Sequence, residues 1–435
     1  MYYENYEFKL KKLERKRIKL QSYFKLIISS IIISFTCSAI ALLLKHSTDF
    51  FEHQIFNTVC SFNSLLFILL PTIGITSIFF LRKYIFRNRK NKGIAEIYNT
   101  IDERKDHLPF YKIPSHFING FLTVVFGGST GIEVSTVVAT AAIGNTTYKK
   151  EFSAKMYKKE LVCAGITAGV AILFANPLAG WLFAMEVIAR KINKTLIISC
   201  TSSALAAWLL LLFFHEPKLL SYTITKWNFS AIPFFILLSV LGALLSVYFT
   251  FLVIRIKFLF SKISNNFIKV NTGALLIGMM IFCFPSLYGD SYHALKEILG
   301  DVVNNKAMPI LLLFMLSLLK PLAASLTLGA GGDGGVFAPS IVAGAFLGLM
   351  VATFFNSYFN MHLIPLNFAM VGAAATLSAS LYAPYTSLIL ICGLLPNGNV
   401  LFLPVLMSCI IAQMFSKRIL PYNVYTYDKY VTSKT

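Results

Sequence analysis

The sequence predicts an all-α protein that crosses a membrane several times. Of its 435 residues, 56% are hydrophobic and 13% are charged, whereas soluble domains carry about 25% charged residues. Uncharged apolar runs reach the roughly 20 residues that a spanning helix needs. These runs are Leu26–Leu44, Phe62–Leu81, Thr195–Phe214, Trp227–Ile254 and Val336–Phe355. A soluble enzyme, a disordered chain and a fibrous protein are poor fits to this composition.

Other apolar blocks are short or are broken by glycine and proline. They are Phe117–Phe126, Ile132–Ile143, Leu161–Ala175, Pro177–Ala189, Gly273–Phe284, Met308–Leu319, Leu366–Leu381 and Pro384–Leu395. A membrane tolerates broken helices only where the freed backbone groups are buried in protein or line a cavity. We therefore expect these blocks to lie within the protein or along a cavity.

The positive charge is concentrated beside the apolar runs. The net charge is +20, and 28 of the 39 Lys and Arg residues fall in segments 1–25, 82–92, 149–159, 190–194, 255–269 and 417–418. Cytoplasmic loops collect basic residues in this way, so we place all six segments and both termini in the cytoplasm. Nucleic-acid binding is the weaker explanation, and we expect a multi-pass protein of the plasma membrane, which is the inner membrane in a bacterium.

An even number of predicted crossings separates successive basic segments. This count divides the chain into a basic amphipathic helix at 1–25, a first membrane repeat at 26–214, a second at 215–416 and a C-terminal segment at 417–435. The seven cysteines show no spacing typical of a disulfide framework or a metal site. We expect no metal and no cofactor.

Two glycine-rich stretches reveal an internal repeat. The sequences GGSTGIE at 127–133 and GGDGGVF at 331–337 share one form and lie 204 residues apart, and Asn176-Pro177 is echoed by Ala383-Pro384 at an offset of 207. The crossing count sends the helix after Glu133 inward and the helix after Phe337 outward. That arrangement is an inverted repeat, in which a substrate site lies where the broken helices of the two halves meet.

Each glycine-rich stretch places a helix N-terminus inside the membrane. The first amides of a helix lack internal partners, and the peptide dipoles add roughly half a positive charge there. Two such ends aimed at one point bind an anion without a full buried cation, and they let it leave again. The candidate ligands are the amides of Ile132, Val134, Val336 and Phe337.

Glu133 is the candidate gate. Its carboxylate would occupy the amide pocket when ionised and leave it when protonated, so it would compete with the anion. Intramembrane acids are functional by default, and the structural alternative is that Glu133 only caps its helix. Asp333, two residues before Gly335, is expected to cap the second helix rather than to bind an ion.

These motifs resemble the CLC family of chloride channels and proton-coupled chloride transporters. The sequence GVFAP at 335–339 matches the family's GxFxP motif, and GIEVS at 131–135 is similar to its GxEGP motif, with Val134 and Ser135 in place of Gly and Pro. The likeness runs from about Leu26 to Tyr425. It implies a CLC-like inverted repeat of tilted and broken helices.

The resemblance also suggests further anion ligands. The sequence NKGIA at 91–95 is weakly similar to the GSGIP motif, which places Lys92, Gly93 and Ile94 at the anion and puts a lysine where the family has a serine. A solvated lysine is the alternative. Tyr425 resembles the family's anion-binding tyrosine, and we prefer it to Tyr422 and Tyr427 because Asn423-Val424 precedes it.

The helix at 178–187 resembles the family helix that carries two adjacent glutamates in many exchangers. Here the pair is Glu186-Val187, and valine occupies the position of the internal proton-transfer glutamate. This pair is similar to the channel branch of the family. The resemblance therefore implies a homodimeric channel that passes chloride or a similar small anion, gated by Glu133.

Other functions stay open to different degrees. A proton-coupled antiporter, with Glu186 or a water chain as the proton path, is the alternative within transport. An intramembrane enzyme would need convergent titratable groups, nucleophiles or metal ligands, and the seven histidines form no such motif, so we expect no enzyme. No CBS domain pair follows position 435, so we expect the prokaryotic type.

Overall fold

A computed structural model describes residues 2–86, 91–102, 107–151, 157–304, 306 and 308–432. The first half contains α1 (Tyr2–Phe62), α2 (Leu66–Tyr84), α3 (Ile94–Asp102), α4 (Lys112–Val125), α5 (Glu133–Glu151), α6 (Lys158–Leu173), α7 (Pro177–Phe183) and α8 (Lys194–Phe214). The second half contains α9 (Ile232–Ser261), α10 (Asn266–Cys283), α11 (Tyr292–Val303), α12 (Ile310–Ala330), α13 (Phe337–Phe359), α14 (Pro365–Leu381), α15 (Pro384–Gly393) and α16 (Phe402–Ile419). A short α17 (Tyr427–Thr432) follows.

The all-α membrane architecture is confirmed. In the part of the chain that the structure describes, eight helices are long and apolar enough to cross a membrane, namely α1, α2, α8, α9, α10, α12, α13 and α16. The basic N-terminal segment and the first apolar run belong to one continuous helix, α1, of 61 residues. The sequence pattern did not predict α3, α11 or α17, which are short and only partly apolar.

The two halves make matching contacts. A pair of serine hydroxyl groups, Ser30 and Ser199, joins α1 to α8 at 2.7 Å, and the pair Ser239 and Ser408 joins α9 to α16 at 2.6 Å. The two members are 169 residues apart in both pairs. Equivalent helices of the halves therefore pack in equivalent ways.

Glycines allow the central helices of each half to approach closely. A β-carbon added at Gly144 of α5 would lie 2.2 Å from the carbonyl oxygen of Leu161 in α6, and one added at Gly348 of α13 would lie 2.0 Å from that of Phe368 in α14. Small residues at helix contacts are typical of packing in membranes. Gly144 and Gly348 are 204 residues apart, so these two close contacts are equivalent under the repeat.

The second sequence echo marks two helix starts. Pro177 opens α7 and Pro384 opens α15, in each case at the first helical position, where the missing N–H costs no hydrogen bond. Asn176 caps α7, and its amide also donates to the carbonyl oxygen of Ile389 in α15, at 3.0 Å. The two short helices therefore pack against each other.

Candidate anion pathway

The two glycine turns meet in the centre of the molecule. Gly131 and Gly335 form an isolated antiparallel bridge between the two chain segments. A β-carbon at Gly335 would lie 2.1 Å from the side chain of Val134, and one at Gly334 would lie 2.4 Å from the hydroxyl of Thr130. Any side chain at these glycines would push the turns apart, so glycine is required for the two helix starts to converge.

Two threonines lock the turns together reciprocally. The amide of Ser129 donates to Thr327 Oγ1 at 3.0 Å, and the amide of Asp333 donates to Thr123 Oγ1 at 2.9 Å. Thr123 and Thr327 are again 204 residues apart, and both are buried. Each half therefore supplies the acceptor that pairs a buried backbone amide of the other half.

Glu133 begins α5 and lies almost entirely buried, with 4% of its surface exposed. Its Oε1 accepts a hydrogen bond of 3.0 Å from the hydroxyl of Tyr292, the first residue of α11. Its Oε2 lies against Gly131, where an added β-carbon would be 2.0 Å away, and has no hydrogen-bond partner among the described residues. One carboxylate oxygen is thus held and the other is not.

The second turn presents a backbone amide to a tyrosine. The amide of Val336 donates to the hydroxyl oxygen of Tyr425 at 3.2 Å. The ring of Phe337, which begins α13, is fully buried and packs on Phe183 at 5.4 Å between centroids. The hydroxyl of Tyr425 therefore lies at the start of the second broken helix, where an anion ligand was expected.

Asn423 explains why Tyr425, rather than a neighbouring tyrosine, reaches the turn. Its Oδ1 accepts from the amides of Tyr425 and Thr426, and its Nδ2 donates to the carbonyl oxygen of Leu381. Tyr422 and Tyr427 instead pack on each other, with ring centroids 5.1 Å apart. The Asn side chain fixes the turn and ties it to the end of α14.

The segment at 91–95 also approaches this centre. Gly93 has a left-handed φ of 62° and lies beside Val134, and Ile94, which begins α3, is fully buried. The amide of Lys92 donates to Glu96 Oε1 at 2.7 Å. The Lys92 side chain is exposed and lines a cavity, so it lies at an entrance rather than in the buried centre.

Two cavities flank the meeting point of the turns. One of about 610 Å³ is lined by Val134, Val336 and Tyr425 and by basic residues of segments predicted to be cytoplasmic, Arg82, Lys92, Lys257 and Lys269. We call it the inner cavity. The other, the outer cavity, has about 300 Å³ and is lined by Tyr292 together with Asp49, Glu52, His53, Asp290, His293, Lys296 and Glu297. Glu133 itself lines neither cavity, but its chain neighbour Val134 lines the inner cavity and its hydrogen-bond partner Tyr292 lines the outer cavity.

A buried titratable side chain faces each turn. Lys320 of α12 is fully buried and its Nζ donates to Ser129 Oγ, Ser291 Oγ and the carbonyl oxygen of Gly289, at 2.7 to 2.8 Å. His116 of α4 is also fully buried, and its Nδ1 lies 3.1 Å from Asp333 Oδ2. His116 and Lys320 are 204 residues apart, as are Ser129 and Asp333, so the two contacts are equivalent under the repeat.

The expected capping role of Asp333 is wrong. Among the described residues, its carboxylate accepts no hydrogen bond from the amides at the start of α13, which follows Val336. The carboxylate of Asp333 instead accepts from Asn91 Nδ2 at 2.7 Å and faces His116 and Arg82. These buried donors draw the side chain away from the amides of its own helix.

Glu186 is not brought to the meeting point of the turns. It lies in a π-helical turn after α7, and its carboxylate accepts from the amide and hydroxyl of Thr386, both at 2.7 Å, and from the amide of Tyr385 at 3.3 Å. It thus satisfies free amides at the start of α15. Val187 is buried among apolar residues.

Comparison with known proteins decides the family. The family model described as voltage gated chloride channel matches residues 73–417, which is most of the chain. The chain belongs to the CLC family. It is 26% identical to a voltage-gated ClC-type chloride channel, ClcB, of Shigella flexneri over 70% of this chain and 72% of that protein. It is also 26% identical to an H(+)/Cl(−) exchange transporter, ClcA, of Klebsiella pneumoniae over 81% of this chain and 76% of that protein.

Solved CLC structures share the fold. A slow cyanobacterial Cl⁻/H⁺ antiporter superposes with a TM-score of 0.80 at 20% identity, covering 94% of this chain and 98% of that one. A CLC-type fluoride/proton antiporter superposes with a TM-score of 0.77 at 20% identity, covering 92% and 96%. The predicted inverted repeat of broken helices is therefore confirmed, and the chain is a multi-pass anion-transport protein of the CLC family.

Sequence reasoning missed five side chains that the structure places at the turns. They are His116, Thr123, Tyr292, Lys320 and Thr327. Four of them carried a usable signal, because Thr123 and Thr327 repeat at the same 204-residue offset as the glycines, and so do His116 and Lys320. Tyr292 carried none, since it approaches Glu133 only through the fold.

Proposed function

We propose that this CLC protein is a proton-coupled anion antiporter in which Glu133 is the exchanging group. The observation that carries the proposal is the position of Glu133, which is buried beside Val134 of the inner cavity and Tyr292 of the outer cavity. Its Oε1 is held by Tyr292, and its Oε2 has no hydrogen-bond partner among the described residues. A carboxylate in such a place accepts a proton or competes with an anion. The ClcA relative, named as an exchange transporter, supports this reading.

The proposed cycle alternates between two occupants of the turns. An anion that enters the inner cavity is bound by the Val336 amide, the Tyr425 hydroxyl and the positive ends of α5 and α13, with the amides of Ile132, Val134 and Phe337 and the segment Lys92–Ile94 nearby. Ionised Glu133 competes for the same positive potential. Protonation of Glu133 removes its negative charge and lets the anion pass, so anion and proton movements become linked.

A passive channel is the second candidate. Valine at position 187 favours it, because the apolar side chain cannot carry a proton, and the ClcB relative is named as a channel. Glu186 does not compensate, since its carboxylate caps α15. The antiporter therefore requires an internal proton route at another place in the structure.

The remaining expectations follow the family resemblance. We propose chloride or a similar small anion as the substrate, and a homodimer in the plasma membrane formed through α7, α8, α15 and α16, with both termini in the cytoplasm. α8 and α16 expose large apolar side chains, among them Leu205, Leu209 and Leu403. We propose neither an enzymatic activity nor a cofactor, a metal or a nucleic-acid partner.

Anion efflux from proteoliposomes with simultaneous pH recording tests the proposal. We expect an outward chloride gradient to drive protons uphill through the wild type. Glu133→Gln should keep chloride efflux and abolish proton movement, whereas Glu186→Gln, the matched carboxylate variant, should keep both. Chloride efflux without any proton movement in the wild type would refute the antiporter and favour the channel.

A further inference from the structure

We infer that His116, loaded through Asp333 from the inner cavity, is the internal proton-binding group that delivers protons to Glu133. The inference rests on the proposed antiport function. Coupled exchange needs a path for protons between the inner cavity and Glu133, and Val187 and Glu186 do not provide one. The polar face of α4 does.

α4 buries an unusual run of polar side chains. Lys112, Ser115, His116, Asn119 and Thr123 recur at the spacing of one helix face, and each is at most 3% exposed. Buried polar groups cost free energy unless they are paired. A helix that maintains five of them along one face in a membrane protein points to a function for that face.

The internal repeat shows that the fold itself does not need this face. The positions of α12 that correspond to Lys112, Ser115 and Asn119 at the 204-residue offset are Leu316, Leu319 and Ala323. Thr123 keeps its equivalent in Thr327, which accounts for the lock between the turns. Lys112, Ser115 and Asn119 of α4 therefore have no polar counterparts in α12.

The N-terminal end of this face, at Lys112, contacts residues of the inner cavity. Asp333 and Asn91 both line that cavity, and Asn91 Nδ2 donates to Asp333 Oδ2 at 2.7 Å. Lys112 Nζ donates to Asn91 Oδ1 at 2.9 Å and to Glu96 Oε1 at 2.7 Å. A proton arriving in the cavity thus meets a hydrogen-bonded network that ends at Asp333, whose Oδ2 lies 3.1 Å from His116 Nδ1.

Three charged groups lie close to His116. The carboxylate of Asp333 faces its ring from the turn before α13, at 3.1 Å. Arg82 of α2 lies 4.0 Å from the same carboxylate, and Lys112 lies one helical turn before His116 on α4. His116 therefore lies directly beside the carboxylate through which we propose it is loaded.

The C-terminal part of this face, beyond His116, lies on the side of Glu133. Four buried polar atoms there have no hydrogen-bond partner among the described residues, namely His116 Nε2, Asn119 Oδ1, Ser135 Oγ and Glu133 Oε2. Ser135 Oγ faces α4, since a β-carbon at Gly120 would lie 2.5 Å from it. Buried polar atoms without a protein partner are typically satisfied by ordered water, so water is the expected link between these four atoms.

The proton step balances without a co-reactant. A proton from the inner cavity binds the carboxylate of Asp333, and His116 Nδ1 takes it while Nε2 releases its own proton to water. The water chain past Asn119 and Ser135 passes a proton to Glu133 Oε2, where an O–H bond forms. A tautomeric exchange of the neutral ring resets His116.

Paired flux measurements on the full chain in proteoliposomes test His116. We expect His116→Gln to keep chloride efflux and to reduce chloride-driven proton movement by about a hundredfold or more, the lower end of the scale on which positioned acids and bases act. The zero-current potential should move to the value set by the chloride gradient alone. His215→Gln, at the exposed end of α8, is the matched histidine control and should behave as the wild type.

The outcomes distinguish a failure of the His116 route from a failure of the proposed antiport function. A coupled wild type with unchanged coupling in His116→Gln overturns the His116 route and leaves the antiporter intact. An uncoupled wild type overturns both. If His116→Gln passes no chloride, Asp333→Asn decides, because reduced coupling with chloride efflux retained supports the route and full coupling overturns it.

Discussion

The two glycine turns share one scaffold but carry different side chains. Both turns follow a helix with a buried threonine. Each threonine hydroxyl accepts a hydrogen bond from a backbone amide of the opposite turn. One turn then leads into Glu133, bonded to Tyr292, whereas the other leads into Phe337 and places Asp333 beside His116. The comparison teaches that backbone symmetry brings the two helix starts together, while the side chains that differ between the turns distinguish the proposed gate from its counterpart.

The two cavities also differ in the charged side chains that line them. Acidic groups and two histidines line the outer cavity, and four basic residues line the inner cavity. A basic vestibule raises the local concentration of anions. This difference in charge supports the proposal that the anion collects in the inner cavity and that Glu133 exchanges protons with the outer cavity.

Removing one threonine hydroxyl tests the shared part of the scaffold and should have the largest effect on stability. Thr123→Val leaves the amide of Asp333 unpaired, and Thr327→Val leaves that of Ser129 unpaired. An unpaired buried amide costs about 1–3 kcal/mol, so both variants should lower the thermal midpoint in detergent by similar amounts.

A surface threonine provides the control for this pair. Thr272 is exposed, and its hydroxyl donates to the carbonyl oxygen four residues earlier. Thr272→Val should therefore change the free energy of unfolding by less than about 0.5 kcal/mol. Losses that differ strongly between Thr123→Val and Thr327→Val would contradict the equivalence of the two turns.

Replacing Tyr292 tests the part that breaks the symmetry. Tyr292→Phe keeps the ring and removes the hydroxyl that holds Glu133 Oε1. Loss of about 1 kcal/mol of hydrogen-bond energy should let Glu133 leave the turns more readily and raise chloride turnover about fivefold, with the chloride-to-proton ratio unchanged.

The exposed Tyr358 supplies the matched control. Tyr358→Phe should leave chloride turnover as in the wild type. Unchanged turnover in Tyr292→Phe would mean that the hydroxyl does not restrain Glu133.

The sequence predicted those features that depend on the repeat. Hydropathy found α1, α2, α8, α9 and α13 as runs of spanning length, whereas α10 and α12 appeared only as shorter blocks. The glycine motifs located both turns, because broken helices and close backbone approach require these residue types at fixed places. Asn176 and Ala383 marked the starts of α7 and α15 for the same reason.

The contacts of charged side chains could not be predicted in this way. Asp333 looked like a helix cap because it precedes a helix, but Asn91 and His116 lie more than 200 residues away in the chain and meet it only in the fold. The partner of Glu133 was hidden for the same reason. Local sequence describes a helix end, whereas tertiary contacts decide where its carboxylate goes.

The most direct test of the account is anomalous diffraction from crystals of the full chain grown in bromide, comparing the wild type with Glu133→Gln. We predict one anomalous peak within hydrogen-bonding distance of the Val336 amide and the Tyr425 hydroxyl, and a second peak beside Gly131 when the carboxylate is neutralised. Bromide bound elsewhere, with no peak between the two turns in either protein, would contradict the claim that they form a single anion pathway.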